Sequence, residues 1–139
     1  MLRPINPPGS AIPGISQAML VESGRLLLLS GHVPFDETGK VVGDDLASQL
    51  DKVFANLLAT LQAAGGDFSA LARVTIYVRD YDPSQLPVIR AVRDRWIGKE
   101  RPPASSLVGV ASLFLPDVLV EIDAIAVLPE EKGSMDTGR

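Results

Sequence analysis

The stretch QLDKVFANLLATLQAAGGDFSALARVTIYVRD, residues 49–80, changes its hydrophobic period halfway along, and that change decides the fold. Together with Leu46, the residues Leu50, Val53, Phe54, Leu57, Leu58 and Leu61 recur at three- and four-residue steps. That spacing lines one face of a helix and leaves Asp51, Lys52 and Gln62 outward. Asp44 and Asp45 stand where a helix N-terminus favours carboxylates, and Gly65-Gly66 supplies a left-handed stop. Beyond the glycines the period falls to two, with Val74, Ile76 and Val78 on one face and Thr75, Tyr77 and Arg79 on the other. This is a strand with one buried side.

Working outward, a second helix is expected from Asp82-Pro83, a cap followed by a proline in the first turn, with Leu86, Ile89, Val92 and Trp96 inward. Gly98 and the pair Pro102-Pro103 end it. Two strands follow, SLVGVASLF and VLVEIDAIAVL, separated by a turn at Pro116-Asp117. Upstream, QAMLVES and RLLLLSG flank Ser23-Gly24 and predict a hairpin. The four leucines Leu26 to Leu29 predict a strand covered on both faces. HVPFDETGKVVG reads as a loop, and the first fourteen residues as a proline-rich extended arm. The order is strand, strand, helix, strand, helix, strand, strand. It predicts an α+β domain, a mixed sheet with both helices on one face. Residues 1–129 form this single domain, and residues 130–139 a polar tail.

The 139 residues suit one core, and 46% of them are apolar, though with 5% aromatic the filling must come from Leu, Val, Ile and Ala. No apolar run is long enough for a membrane span, and MLRPINPPGS lacks the apolar segment of a signal peptide. With no cysteine, thiolate nucleophiles and disulfides are excluded, and a cytoplasmic location is expected. The net charge of −4 argues against an electrostatic nucleic-acid binder. IRAVRDRWIGKER holds five basic residues in thirteen, but Asp94 and Glu100 interrupt them, as on a solvated helix face.

Glu121 lies mid-strand between Val120 and Ile122 and shares a face with Leu119, Asp123 and Ile125. An unpaired buried carboxylate is costly, so it must be solvated, paired or used. It fits a sheet face open to water or a subunit interface, and equally a general base or a water-orienting group. His32, the sole histidine, follows Ser30-Gly31 and reads as a base or as a hydrogen-bonding loop residue. No metal-ligand spacing is present, so no metal is expected. Ser30, Ser105 and Ser106 lack the G-x-S-x-G elbow of a serine hydrolase, and phosphate-binding and dinucleotide-binding glycine motifs are absent from the sequence.

In order along residues 13–127, the segments ISQAMLV, LLLLSGHVPFDETGKVVG, residues 49–80, PPASSLVGV and VEIDAIAV resemble the Rid (YjgF) family of reactive-intermediate deaminases. The resemblance implies a chorismate-mutase-like fold. It also implies a homotrimer whose sheets form a central barrel, with ligand clefts between subunits. Active members hydrolyse small imines and enamines, such as 2-aminoacrylate, to a keto acid and ammonia without metal or cofactor. In them an arginine in a P-A-R-S segment grips the substrate carboxylate, a chemistry that suits a guanidinium fork. A glutamate in a V-E-I-E-A-I-A strand orients or activates water.

Carried over residue by residue, Glu121 falls on that glutamate and Ser30-Gly31 on the family's serine-glycine. Ile15 replaces a tyrosine, His32 a glutamine and Leu107 a cysteine. Arg90 aligns with an asparagine of the second helix. Ser105 stands in the arginine's place. A charge-assisted pair contributes about 1.5–3 kcal/mol that a hydroxyl does not replace. A small-molecule substrate other than 2-aminoacrylate is therefore expected, with Glu121 catalytic and Ser105, Ser30, Gly31, His32, Ile15, Leu107 and Arg90 binding. A non-catalytic ligand-binding trimer is the alternative, followed by an endoribonuclease.

Overall fold

A computed structural model describes residues 1–10 and 12–131; most of the expected polar tail lies outside them. The strands are β1 (Leu2–Ile5), β2 (Ala18–Val21), β3 (Arg25–His32), β4 (Leu71–Arg79), β5 (Ala104–Val110) and β6 (Val120–Leu128). The helices are α1 (Leu46–Ala63) and α2 (Leu86–Ile97). Asp45 caps α1 by accepting from the Ser48 amide, and Gly65, at φ +92°, turns the chain away after it. A short 3-10 turn, Pro83–Gln85, precedes α2, with Asp82 and Gln85 forming a reciprocal capping box.

Four strands form a mixed sheet in the order β3-β6-β4-β5. β6 is antiparallel to both neighbours, whereas β4 and β5 run parallel, joined by the α2 crossover that such a pair requires. The expected layering is present. Leu50, Val53, Phe54, Leu57 and Leu61 of α1 and Ile89 and Val92 of α2 are buried against Val74, Ile76, Val78, Ile122, Ala124 and Leu29.

One expectation is corrected. β2 and β3 do not pair across Ser23-Gly24; β2 pairs with β1, and β3 pairs with β6. The proline-rich arm is thus partly a strand, forming a ribbon that packs Leu2 and Met19 against Ala72 and Val127. Gly24 stands at φ +120° against the end of β6, where a Cβ would collide with Val127 and the Leu128 carbonyl, so the link requires glycine. The leucine run, for its part, is covered by this chain on one face. Leu29 is buried, while Leu26 and Leu28 are 66% and 72% exposed. With Val108 and Ile125 they leave an apolar area on the sheet face away from the helices.

Candidate functional site

Glu121 sits on that uncovered face. In the β4–β6 register it lies opposite Tyr77, and Asp123 opposite Thr75. Alternation along β6 sends both carboxylates to the side away from Ile122 and Ala124, which are buried under the helices. The Tyr77 hydroxyl donates to Asp123 Oδ2 at 3.1 Å, leaving Glu121 free of that bond. Burial pushes the Glu121 carboxyl above its ordinary range, and the neighbouring Asp123 adds to the rise.

β3 completes this half of the site. Its pairing with β6 slips by one residue between Leu29 and His32, a bulge that holds Ser30 and Gly31. A Cβ on Gly31 would collide with the Glu121 carboxylate, so glycine lets the acid lie directly over the β3 backbone. His32 turns the other way. One ring nitrogen lies 2.7 Å from the Ser30 carbonyl and the other 2.7 Å from Thr60 Oγ1 on α1. The imidazole therefore ties the bulge to a helix and does not face Glu121.

The remaining expected residues gather on the opposite side of the sheet. Ser105 lies opposite Val74 and Leu107 opposite Ile76 in the parallel register, on the helix-covered face. They line a cavity of about 130 Å³ together with Ile12, Pro13, Ile15, Leu86, Ile89, Arg90 and Arg93. The loop carrying Ile15 is held across the cavity by Ser16, whose amide donates to Pro103 O at 3.1 Å and whose hydroxyl donates to Pro102 O. The structure brings Ser105, Leu107, Ile15 and Arg90 together. It separates them from Ser30, Gly31 and Glu121 by the thickness of the sheet.

Three residues were not assigned to the site from the sequence. Tyr77 and Asp123 were legible, since period-two alternation puts both on the face of Glu121. Arg93 follows Ile89 by four residues and so shares its inward stripe, yet a charged side chain was read there as solvated. It is 8% exposed.

The model of the Endoribonuclease L-PSP family matches residues 9–128. Protein DfrA of Myxococcus xanthus is 39% identical over 118 residues, covering 84% of this chain and 87% of that protein. The 2-iminobutanoate/2-iminopropanoate deaminase of Salmonella typhimurium is 30% identical over 109 residues, covering 77% and 83%. The crystal structure of YyfB from Yersinia pestis, a Rid-family protein of unknown function, matches with a TM-score of 0.84 at 37% identity, covering 91% of this chain and 98% of that one. With nearly the whole folded length matched in sequence and in structure, the chain belongs to the Endoribonuclease L-PSP family, that of the Rid (YjgF) proteins.

Proposed function

We propose that this protein is a cofactor-independent hydrolase of a small imine or enamine other than 2-aminoacrylate. In this reading it works as a homotrimer in the cytoplasm, with clefts between subunits. The observation that carries the proposal is the seating of Glu121 over Gly31, beside Ser30 at the β3 bulge, with its carboxyl raised toward the pH range of proton transfer.

In the proposed reaction the Glu121 carboxylate takes a proton from water as the oxygen attacks the imine carbon. Glu121 returns that proton to the imine nitrogen, and the carbinolamine so formed passes its hydroxyl proton to nitrogen through the same carboxylate as the C–N bond breaks, releasing ammonia and leaving a carbonyl compound. Backbone groups at Ser30-Gly31 and the Ser105 hydroxyl bind polar atoms of the substrate, while Ile15 and Leu107 contact its apolar part. His32, with both ring nitrogens engaged inside the chain, holds the bulge in place. The relatives named as 2-iminobutanoate/2-iminopropanoate deaminases support this reaction class.

The separation of Glu121 from the Ser105 cavity supports a site completed by a second copy. One subunit would present the carboxylate and its neighbour the cavity. The apolar area around Leu26 and Leu28 supplies a surface for such an assembly. The deciding experiment is ammonia release from a panel of imines generated in situ, by wild type and Glu121→Gln. Hydrolysis lost in the variant supports the reading. Hydrolysis unchanged by the substitution refutes it, and saturable binding without product identifies the non-catalytic alternative.

A further inference from the structure

We infer that Arg93, on α2, is the anion anchor of the Ser105 cavity, selecting a ligand with a carboxylate on a short apolar body. This rests on the cavity being the substrate subsite of the proposed function. Arg93 is 8% exposed, and a guanidinium is taken out of water at a cost that good partners must offset. Its partners are poor. Nε and Nη2 each lie 3.3 Å from Asp94 Oδ1, and Nη2 lies 3.4 Å from the Pro13 carbonyl. Asp94 is itself shared, with Lys99 Nζ 3.9 Å from its other oxygen. Among the described residues Nη1 has no hydrogen-bond partner, yet no side-chain nitrogen there is both fully buried and unpaired, so Nη1 borders open space.

The walls define what enters. Ile12, Ile15, Leu86, Ile89 and Leu107 are apolar, and Ser105 adds a hydroxyl. Arg90 brings a second guanidinium to the same cavity, and among the described residues no carboxylate lines it. The cavity's 130 Å³ is close to the roughly 150 Å³ of an apolar cavity that admits benzene, which limits the ligand to about six heavy atoms. Gly14 lets this happen. At φ +82° it brings the loop backbone against the guanidinium, where a Cβ would collide with Arg93 Nη2.

Arg93 thus supplies from α2 the charge that Ser105 does not supply from β5. The test is a titration of the full-length protein with butyrate and with its neutral isostere butyramide, followed by ligand-observed NMR. Wild type is expected to bind butyrate at least tenfold more tightly than butyramide. Arg93→Gln should abolish that ratio, and Asp94→Asn, which removes the competing carboxylate, should tighten butyrate binding several-fold. A structural role for Arg93 predicts no gain from Asp94→Asn. Absence of a butyrate preference in wild type, or its persistence in a folded Arg93→Gln, overturns the inference. If Arg93→Gln does not fold, unchanged or weaker butyrate binding by Asp94→Asn overturns it instead. The butyrate titration reads binding without turnover and the ammonia assay reads turnover, so failure of the anchor and failure of the hydrolase reading are told apart.

Discussion

Glu121 carries two opposed demands, and they give separate predictions. As a base it must be ionised, so activity should fall as pH drops through its raised pKa, with the acid limb above that of an ordinary exposed carboxylate. Asp123→Asn removes the like charge and should move that limb to lower pH, measured as the pH profile of kcat/KM. Glu121→Gln should cut turnover by roughly 10²- to 10⁴-fold, the usual worth of a positioned acid–base group. Its effect on stability has the opposite sign. A carboxyl whose folded pKa is raised binds its proton more tightly in the folded chain. Its favourable contribution is therefore present at low pH and lost as pH rises through the folded value. Glu121→Gln should accordingly raise the Tm at neutral pH and have less effect near pH 4. A Tm lowered at neutral pH would count against this account of the site.

At the scale of elements, the β3 bulge and the loops around Gln49 hold the half-sites in position. Gly31→Ala should displace the Glu121 side chain and depress kcat while leaving the circular dichroism spectrum unchanged, because the added methyl meets a side chain on the face away from the core. Gln49 is 1% exposed at the start of α1. Its amide donates to the carbonyls of Gly43 and Asp117, and its oxygen accepts from the Leu119 amide, so it ties the strand carrying Glu121 to two loops. Gln49→Leu keeps the size but strands three backbone groups. It should cost at least about 2 kcal/mol, read from chemical denaturation. The elements themselves were largely legible, because α1 and β4 differ in hydrophobic period and Asp45 and Asp82 cap where expected. The strand pairing was not. Ser23-Gly24 has the composition of a hairpin turn, but β6, an apolar strand more than ninety residues away, pairs with β3 instead.

For the whole molecule, the proposed assembly has a direct test in Leu28→Asp. Leu28 is 72% exposed and lies outside the core, so the chain should fold as before. A charge in the middle of the apolar area should dissociate a trimer, seen by sedimentation velocity, and abolish turnover with it, since each cleft needs two copies. A Leu28→Asp protein that sediments as wild type would remove the sheet face from the interface. Among the described residues no helix is long and apolar enough to cross a membrane.

The sequence by itself determined the α+β class, the two capped helices, the family, and Glu121 as the carboxylate of interest. Each of these is local: a period, a cap or an ordered set of short segments is written in neighbouring residues. Only the tertiary structure decided which strands pair, because pairing balances burial over the whole core rather than over one turn. It also placed Glu121 and Ser105 on opposite faces of the sheet and turned His32 toward Thr60. Arg93 shows the reason most clearly. A charged residue on a helix reads as solvated until the loop that covers it is in place, and that loop comes from the other end of the chain.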